Sequence, residues 1–261
     1  MTEFNQQRPR VLLLGGTTEA SELAQRLSGD ERFDAILSLA GRTAYPAQAP
    51  VPVRVGGFGG AAGLAAYLQA NGIGAVIDAT HPFAAQISSN AVAACRQTGT
   101  TLIALERPAW TQQAGDTWLH FARVEEAVAA LPVEPTRIFS GLGRLSLDAL
   151  GAAPQHHWLI RVIDPIAPPP GLPHATIVTG RGPFAADGDA ALFESHGIAM
   201  VLAKNAGGTA SYAKIEAARR LRLPVYMIGR PAIAHRTVCR GVDEAMSQLH
   251  AHHAGLSARG V

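Results

Sequence analysis

The run Val11-Leu12-Leu13-Leu14, followed by Gly15-Gly16-Thr17-Thr18-Glu19-Ala20, constrains the rest of the chain more than any other stretch. Four branched apolar residues in succession predict a strand buried on both faces, as strands of parallel sheets are. Gly15 and Gly16 then permit a tight turn and the close approach of another backbone or a ligand. From residue 19 to 27, Ala20, Leu23, Ala24 and Leu27 recur at helical spacing. Thr17 and Thr18 stand where an N-cap belongs, beside the orphan amides of the first turn. Strand, turn and helix together make an anion cradle, with N–H groups and the positive end of the helix dipole facing one point. The glycine pattern is shorter than the full G-x-G-x-x-G fingerprint, so a plain strand-to-helix turn without a ligand stays open.

Later stretches repeat this logic. Residues 35–40 read as a second strand, with Ser38 near its end and Gly41-Arg42-Thr43 beyond it. In a dinucleotide-binding unit the adenosine ribose lies here, about 20 residues past the glycine turn. An acid at this point would hold a 2′-hydroxyl; Ser38 and Arg42 instead suit a 2′-phosphate and favour NADP. The alternative for Arg42 is a solvated loop arginine. Residues 51–55 predict a third strand ending in Gly56-Gly57-Phe58-Gly59-Gly60, whose bare backbone can pass close to a flat or phosphorylated ligand or simply lead into helix 61–71. A fourth strand over 75–79 runs into Thr80-His81-Pro82-Phe83, flanked by Asp78 and His81. His81 can offer a proton or a hydrogen bond to a nicotinamide amide, or orient its loop through a backbone hydrogen bond. Helix 84–98 and strand 101–105 complete a first βαβ array.

Glu106-Arg107-Pro108-Ala109-Trp110 reads as a boundary, and strand-like runs resume at 118–122, 137–140, 158–163, 176–179, 200–203 and 225–228. Helical segments at 124–131, 184–196 and 212–221 predict a second parallel α/β sheet, with a proline-rich surface connection over 165–173. The expected architecture is two α/β lobes with a cleft between them. Basic residues sit at or beyond many strand ends: Arg42, Arg107, Arg144, Arg161, Arg181, Lys204 and Arg230, although Arg161 can also fall inside its strand. Parallel strands bring such ends to one edge, where guanidinium groups beside glycine suit a polyanion and its carboxylates. Lys204-Asn205-Ala206-Gly207-Gly208-Thr209-Ala210-Ser211 repeats the opening turn, as a second anion loop or as a capped turn.

Composition narrows the classes. A chain of 261 residues suffices for two ordinary domains, and 48% hydrophobic against 16% charged residues supports filled cores rather than disorder. A net charge of +2 with no basic run gives no ground for nucleic-acid binding. Cys95 and Cys239 are isolated, His250, His252 and His253 lie in a polar tail expected to fray, and no metal is assigned. Residues 1–10 are polar, and no apolar stretch reaches spanning length, so a soluble cytoplasmic protein without membrane contact is expected.

Taken together, these motifs resemble the precorrin-6A reductase family of cobalamin biosynthesis. The resemblance runs through the opening glycine turn, Ser38-Leu39-Ala40-Gly41-Arg42, Gly56-Gly57-Phe58-Gly59-Gly60, Glu106-Arg107-Pro108-Ala109-Trp110, Gly182-Pro183-Phe184 and Arg230-Pro231. Its most specific part is Asp78-Ala79-Thr80-His81-Pro82-Phe83-Ala84. One departure is Ala206, where serine is expected before Gly207-Gly208. The resemblance implies NADPH-dependent reduction of one double bond in precorrin-6A to give precorrin-6B. It implies two Rossmann-like lobes, an NADPH-binding one over 1–106 and a substrate-binding one over 107–261 with a flexible C-terminal tail. Cofactor contacts are then expected from Gly15, Gly16, Thr17, Thr18, Glu19, Ser38, Arg42, Gly57, Phe58, Thr80 and His81. Substrate contacts are expected from Arg107, Arg144, Arg181, Lys204, Asn205, Gly207 and Gly208. No proton donor is singled out, with His81 the candidate catalytic residue. Expected partners are a polycarboxylate tetrapyrrole and, transiently, neighbouring enzymes of the pathway. Alternatives are a nicotinamide-independent two-lobed enzyme similar in outline to uroporphyrinogen-III synthase, and a non-enzymatic NADPH- or tetrapyrrole-binding module. Tyr212-Ala213-Lys214 lacks the Tyr-x-x-x-Lys spacing of short-chain reductases.

Overall fold

The computed structural model describes residues 8–41 and 48–257. The chain forms two compact units: residues up to Arg107 together with those from Ala232, and Pro108–Pro231. In the first unit the elements run β1 (Arg10–Leu14), α1 (Thr18–Ser28), β2 (Asp34–Leu39), β3 (Val53–Val55), α2 (Gly60–Ala70), β4 (Ile73–Asp78), α3 (Ala85–Thr98) and β5 (Thr101–Leu105). The opening apolar run is buried on both faces because alternate side chains serve two cores. Val11 and Leu13 pack with Ala20, Leu23, Ala24 and Leu27 of α1. Leu12 and Leu14 pack with Leu64, Ala65 and Leu68 of α2 and with Ala91, Ala94 and Cys95 of α3. Burial pushes the Cys95 thiol up to about 12, so it serves as core rather than as a nucleophile.

The second unit runs β6 (Thr117–Phe121), α4 (Val124–Ala129), β7 (Arg137–Ser140), α5 (Leu147–Leu150), β8 (His157–Val162), β9 (Ala175–Thr179), α6 (Ala186–Ser195), β10 (Met200–Lys204), α7 (Ala213–Arg220) and β11 (Pro224–Ile228). Its sheet has the order β6-β11-β10-β7-β8-β9, every pair parallel. Phe139, Phe193, Val201 and Ile215 are at the centre of its core.

From Ala232 the chain differs from the sequence expectation of a single second domain over 107–261 ending in a flexible tail. Strand β12 (Thr237–Cys239) pairs with β5, completing a first sheet of order β12-β5-β4-β1-β2-β3 that is parallel throughout. Helix α8 (Val242–Ser257) lays Val242, Ala245, Met246 and Leu249 on the α1 face of that sheet. The physical reason is apolar area: one face of the sheet lacked a second covering helix, and α8 supplies it. Its histidines are therefore anchored, not frayed. His250 lies 2.9 Å from Asp30 and stacks on Phe33, while His253 meets the edge of the same ring.

Asp30 gives this docking an acid limit. Its hydrogen bonds from Arg32, and then from His250, hold the carboxyl below the usual carboxylate range. A depressed folded value stabilises above the unfolded value of about 3.9 and is lost as pH falls through the folded one. The Asp30→Asn variant is expected to melt below the wild type at neutral pH, the gap closing as the solution is acidified. A gap unchanged in acid would remove the carboxylate from the docking of α8. Among the described residues no helix is long and apolar enough to cross a membrane.

Candidate functional site

At the carboxyl edge of the first sheet, β1 passes into α1 through two glycines with different duties. The Gly15 N–H donates to Ser38 O at 3.0 Å, and a Cβ there would stand 2.5 Å from Leu37 Cδ1, so any larger residue would displace Leu37 in the core. Gly16 has φ +116°, and among the described residues nothing lies within 4 Å of the position its Cβ would take. Thr17 is the N-cap: Oγ1 accepts the Ala20 N–H at 3.1 Å and donates to Ala79 O at 2.8 Å, fastening the turn to the end of β4. The first-turn amides of Thr18 and Glu19 have no carbonyl four residues back within the helix.

Thr17, Glu19, Thr80, Pro82, Leu105 and Arg107 line a small cleft. It lies where the strand order reverses between β1 and β4, the place where open α/β sheets bind ligands. A bare carboxylate at a helix N-terminus would repel a phosphate, but Arg107 meets Glu19 at 2.7 Å and offsets its charge. Beside them, buried Asp78 accepts from the Thr80 N–H at 3.2 Å and from its hydroxyl at 2.7 Å through Oδ1. Its Oδ2 has no partner among the described residues. His81 Nδ1 accepts the Phe83 N–H at 3.2 Å, which orients the loop and leaves the proton of the neutral ring on Nε2.

A second group forms at the ends of β2 and β3, which pair Ser38 with Arg54. Arg54 Nη1 donates to Ser38 Oγ at 3.1 Å and to Gly56 O at 2.6 Å, and Nη2 donates to Gly57 O at 2.6 Å. The guanidinium lies 3.7 Å from the centre of the Phe58 ring and 5.2 Å from that of Tyr67. Gly63 lets the Phe58 backbone lie against α2, since a Cβ there would overlap the Phe58 carbonyl oxygen. Open space above Gly16, free first-turn amides and a guanidinium on β3 beside the end of β2 together fit a phosphorylated dinucleotide.

In the second unit the strand order reverses between β7 and β10. Lys204, closing β10, donates to Leu142 O at 3.0 Å and to Ser146 Oγ at 2.9 Å, and burial holds its ammonium below the usual lysine value. It thereby braces the segment that carries Arg144, which is exposed. Both ends of the Asn205 amide are engaged by the Trp110 backbone, at 2.7 and 2.9 Å. The Trp110 indole N–H donates to Gly208 O at 2.7 Å, and Arg230 donates to Asn205 O at 3.0 Å and Ala206 O at 3.1 Å. Arg161 lies inside β8 and forms a bidentate pair with buried Asp189, so it is a core group and not a strand-end cation. Arg181, beyond β9, is exposed.

Residues 10–250 match the family model described as precorrin-6x reductase CbiJ/CobK. The chain belongs to the precorrin-6x reductase family. The precorrin-6A reductase of Rhodobacter capsulatus is 53% identical over 97% of this chain and 99% of its own length. That of a Sinorhizobium species is 48% identical over 93% of each. A cobalt-precorrin-6A reductase from Priestia megaterium is 28% identical over 92% of this chain and 97% of its own. A solved structure titled CobK precorrin-6A reductase superposes with a TM-score of 0.89 at 52% identity, covering 94% of this chain and 97% of that one.

The structure groups some expected site residues and separates others. Thr17, Glu19 and Thr80 share one cleft, with Gly15, Gly16, Thr18 and His81 on the same turns. Ser38, Gly57 and Phe58 surround Arg54. Arg42 lies outside the described residues. Arg107, expected among the substrate contacts, belongs to the first unit and pairs with Glu19. Asn205, Gly207 and Gly208 form one loop, which Trp110 and Arg230 hold. Sequence reasoning passed over Arg54 and Trp110. Arg54 carried no local signal, because strand pairing sets its register opposite Ser38; Trp110 stood in the boundary motif, but its partner loop lies 95 residues away.

Proposed function

We propose that this chain reduces precorrin-6A with NADPH to precorrin-6B, in the building of the corrin ring. The observation that carries the cofactor reading is the Gly16 turn: positive φ, open space and orphan helix amides at the reversal point of a six-stranded parallel sheet. NADPH, when bound, supplies the hydride. Gly15, Gly16, Thr17 and Thr18 would hold its pyrophosphate, and Ser38 would face the ribose edge. Thr80 and His81 would border the nicotinamide end, with the Glu19–Arg107 pair keeping the cleft close to neutral. In the second unit, Arg144 and Arg181 would receive macrocycle carboxylates, with Lys204 holding the Arg144 segment in position. The identities support a cobalt-free substrate: 53% and 48% to the precorrin-6A reductases against 28% to the cobalt-precorrin enzyme.

The direct test is to incubate the chain with precorrin-6A and NADPH, following NADPH absorbance and the product mass. A gain of two hydrogens per NADPH oxidised is the expected result. No oxidation in the presence of the macrocycle would overturn the reading.

The carboxylate surface has its own test. Exposed ion pairs are individually weak, typically about 0.2–1 kcal/mol, so the Arg144→Gln, Arg181→Gln double variant is expected to raise KM for the macrocycle by about 2–30-fold. NADPH affinity should not move. The effect should shrink at high salt, because exposed charges are screened beyond about 8 Å at physiological ionic strength. A normal KM at low salt would place the carboxylate contacts elsewhere.

A further inference from the structure

We propose that Arg54 is the residue that reads the 2′-phosphate of NADPH, with Ser38 as its partner; this rests on the NADPH reading above. Two backbone carbonyls, the Ser38 hydroxyl oxygen and the Phe58 ring hold the guanidinium. No carboxylate pairs with it among the described residues, so its positive charge is fixed in place but not compensated. A neutral cage around a cation is what a binding site for a phosphate dianion needs, since an acid there would compete with the ligand.

The donor count points the same way. A guanidinium has five N–H groups, and the three hydrogen bonds present use Nη1 twice and Nη2 once. The Nε–H and the second Nη2–H, which lie side by side, have no acceptor among the described residues. That edge matches two oxygens of one phosphate. Ser38 Oγ accepts from Arg54, which leaves its own hydrogen to donate to a third oxygen. Beside the carbonyls that hold the guanidinium, no atom of the described residues lies within 4 Å of where a Cβ would stand on Gly56 or Gly57. Ser38 and Arg54 sit opposite one another at the carboxyl ends of β2 and β3, the strands next out from the glycine turn. In this strand order the adenosine ribose lies there.

Arg54→Met keeps the side-chain stem and removes the fork. Dissociation constants for NADPH, NADH and adenosine 2′,5′-bisphosphate would be measured by calorimetry on the full chain, alongside Ser38→Ala and Arg42→Met. Losing charged hydrogen bonds predicts an NADPH and bisphosphate affinity about 10–100-fold weaker for Arg54→Met, with NADH unchanged. Ser38→Ala should show a smaller loss of the same selectivity, and it keeps the test valid if Arg54→Met does not fold. Equal weakening of all three ligands would make Arg54 a brace for the glycine turn and overturn the inference. Selectivity lost in Arg42→Met but kept in Arg54→Met would overturn it in favour of Arg42. Wild-type protein that bound NADH as tightly as NADPH would overturn the cofactor reading itself.

Discussion

Replacing Arg161 by methionine is expected to cost the second unit about 3–5 kcal/mol, the loss that follows removal of one partner from a buried ion pair. Arg161 and Asp189 expose 12% and 4% of their side chains, and both guanidinium nitrogens of the fork meet the carboxylate. The same guanidinium lies 4.9 Å from the Phe139 ring centre and 4.2 Å from that of Phe184, so the pair is walled by aromatic surface. Methionine restores the apolar volume but leaves Asp189 with an uncompensated charge. The Arg161→Met, Asp189→Leu double variant should recover most of the loss, because an apolar pair of similar size is often neutral. Trp110, Trp118 and Trp158 all fall within Pro108–Pro231, so tryptophan fluorescence in urea reports this unit alone. A single variant costing under about 1 kcal/mol would mean the pair relaxes into water as surface pairs do.

Gly16→Val is expected to reduce nucleotide binding at least about 100-fold while leaving the chain folded, because a branched side chain would occupy the space that a bound pyrophosphate needs. No atom of the described residues lies within 4 Å of the Cβ position, so the first carbon of the new side chain meets no obstruction there. The φ of +116° is another matter, because a β-branched residue strongly disfavours it. Strain of this kind costs about 1–3 kcal/mol, enough to lower the melting temperature but not to unfold the unit. Gly15→Ala makes the contrasting control. Its Cβ would press on Leu37 Cδ1 in the core, so its defect should appear in stability before it appears in binding. Calorimetric titration with NADPH and a thermal melt on each variant separate the two glycines. Normal binding by folded Gly16→Val would reduce the opening turn to a structural feature.

These two outcomes mark where local reasoning worked and where it stopped. The apolar run at β1 could only be a strand with cores on both sides, and Leu12 and Leu13 do serve opposite clusters. The glycine turn, its threonine cap and the helix after it are interactions between residues at most a few positions apart, which a sequence displays directly. Most strands of the second sheet could be read from short apolar runs for the same reason. Arg161 was harder: its place within β8 was legible, but its partner on α6 was not, and the partner decides whether the arginine faces a ligand or a core.

Long-range pairing decided the remainder. The sequence by itself determined two parallel α/β sheets, the glycine turn that opens the first, and the resemblance to the precorrin-6A reductase family. It did not determine that residues from Ala232 complete the first sheet, because β12 and α8 carry no signal naming β5 or α1 as their neighbours. That choice follows from the apolar face the first sheet would otherwise leave in water, a property of the assembled sheet and not of any segment. The same holds at the site: Glu19 meets Arg107 across 88 residues, and Ser38 meets Arg54 only once β2 and β3 settle into register. Side chains far apart in the chain become a site when strand pairing brings their ends to one edge, and register is fixed by packing that no local pattern records.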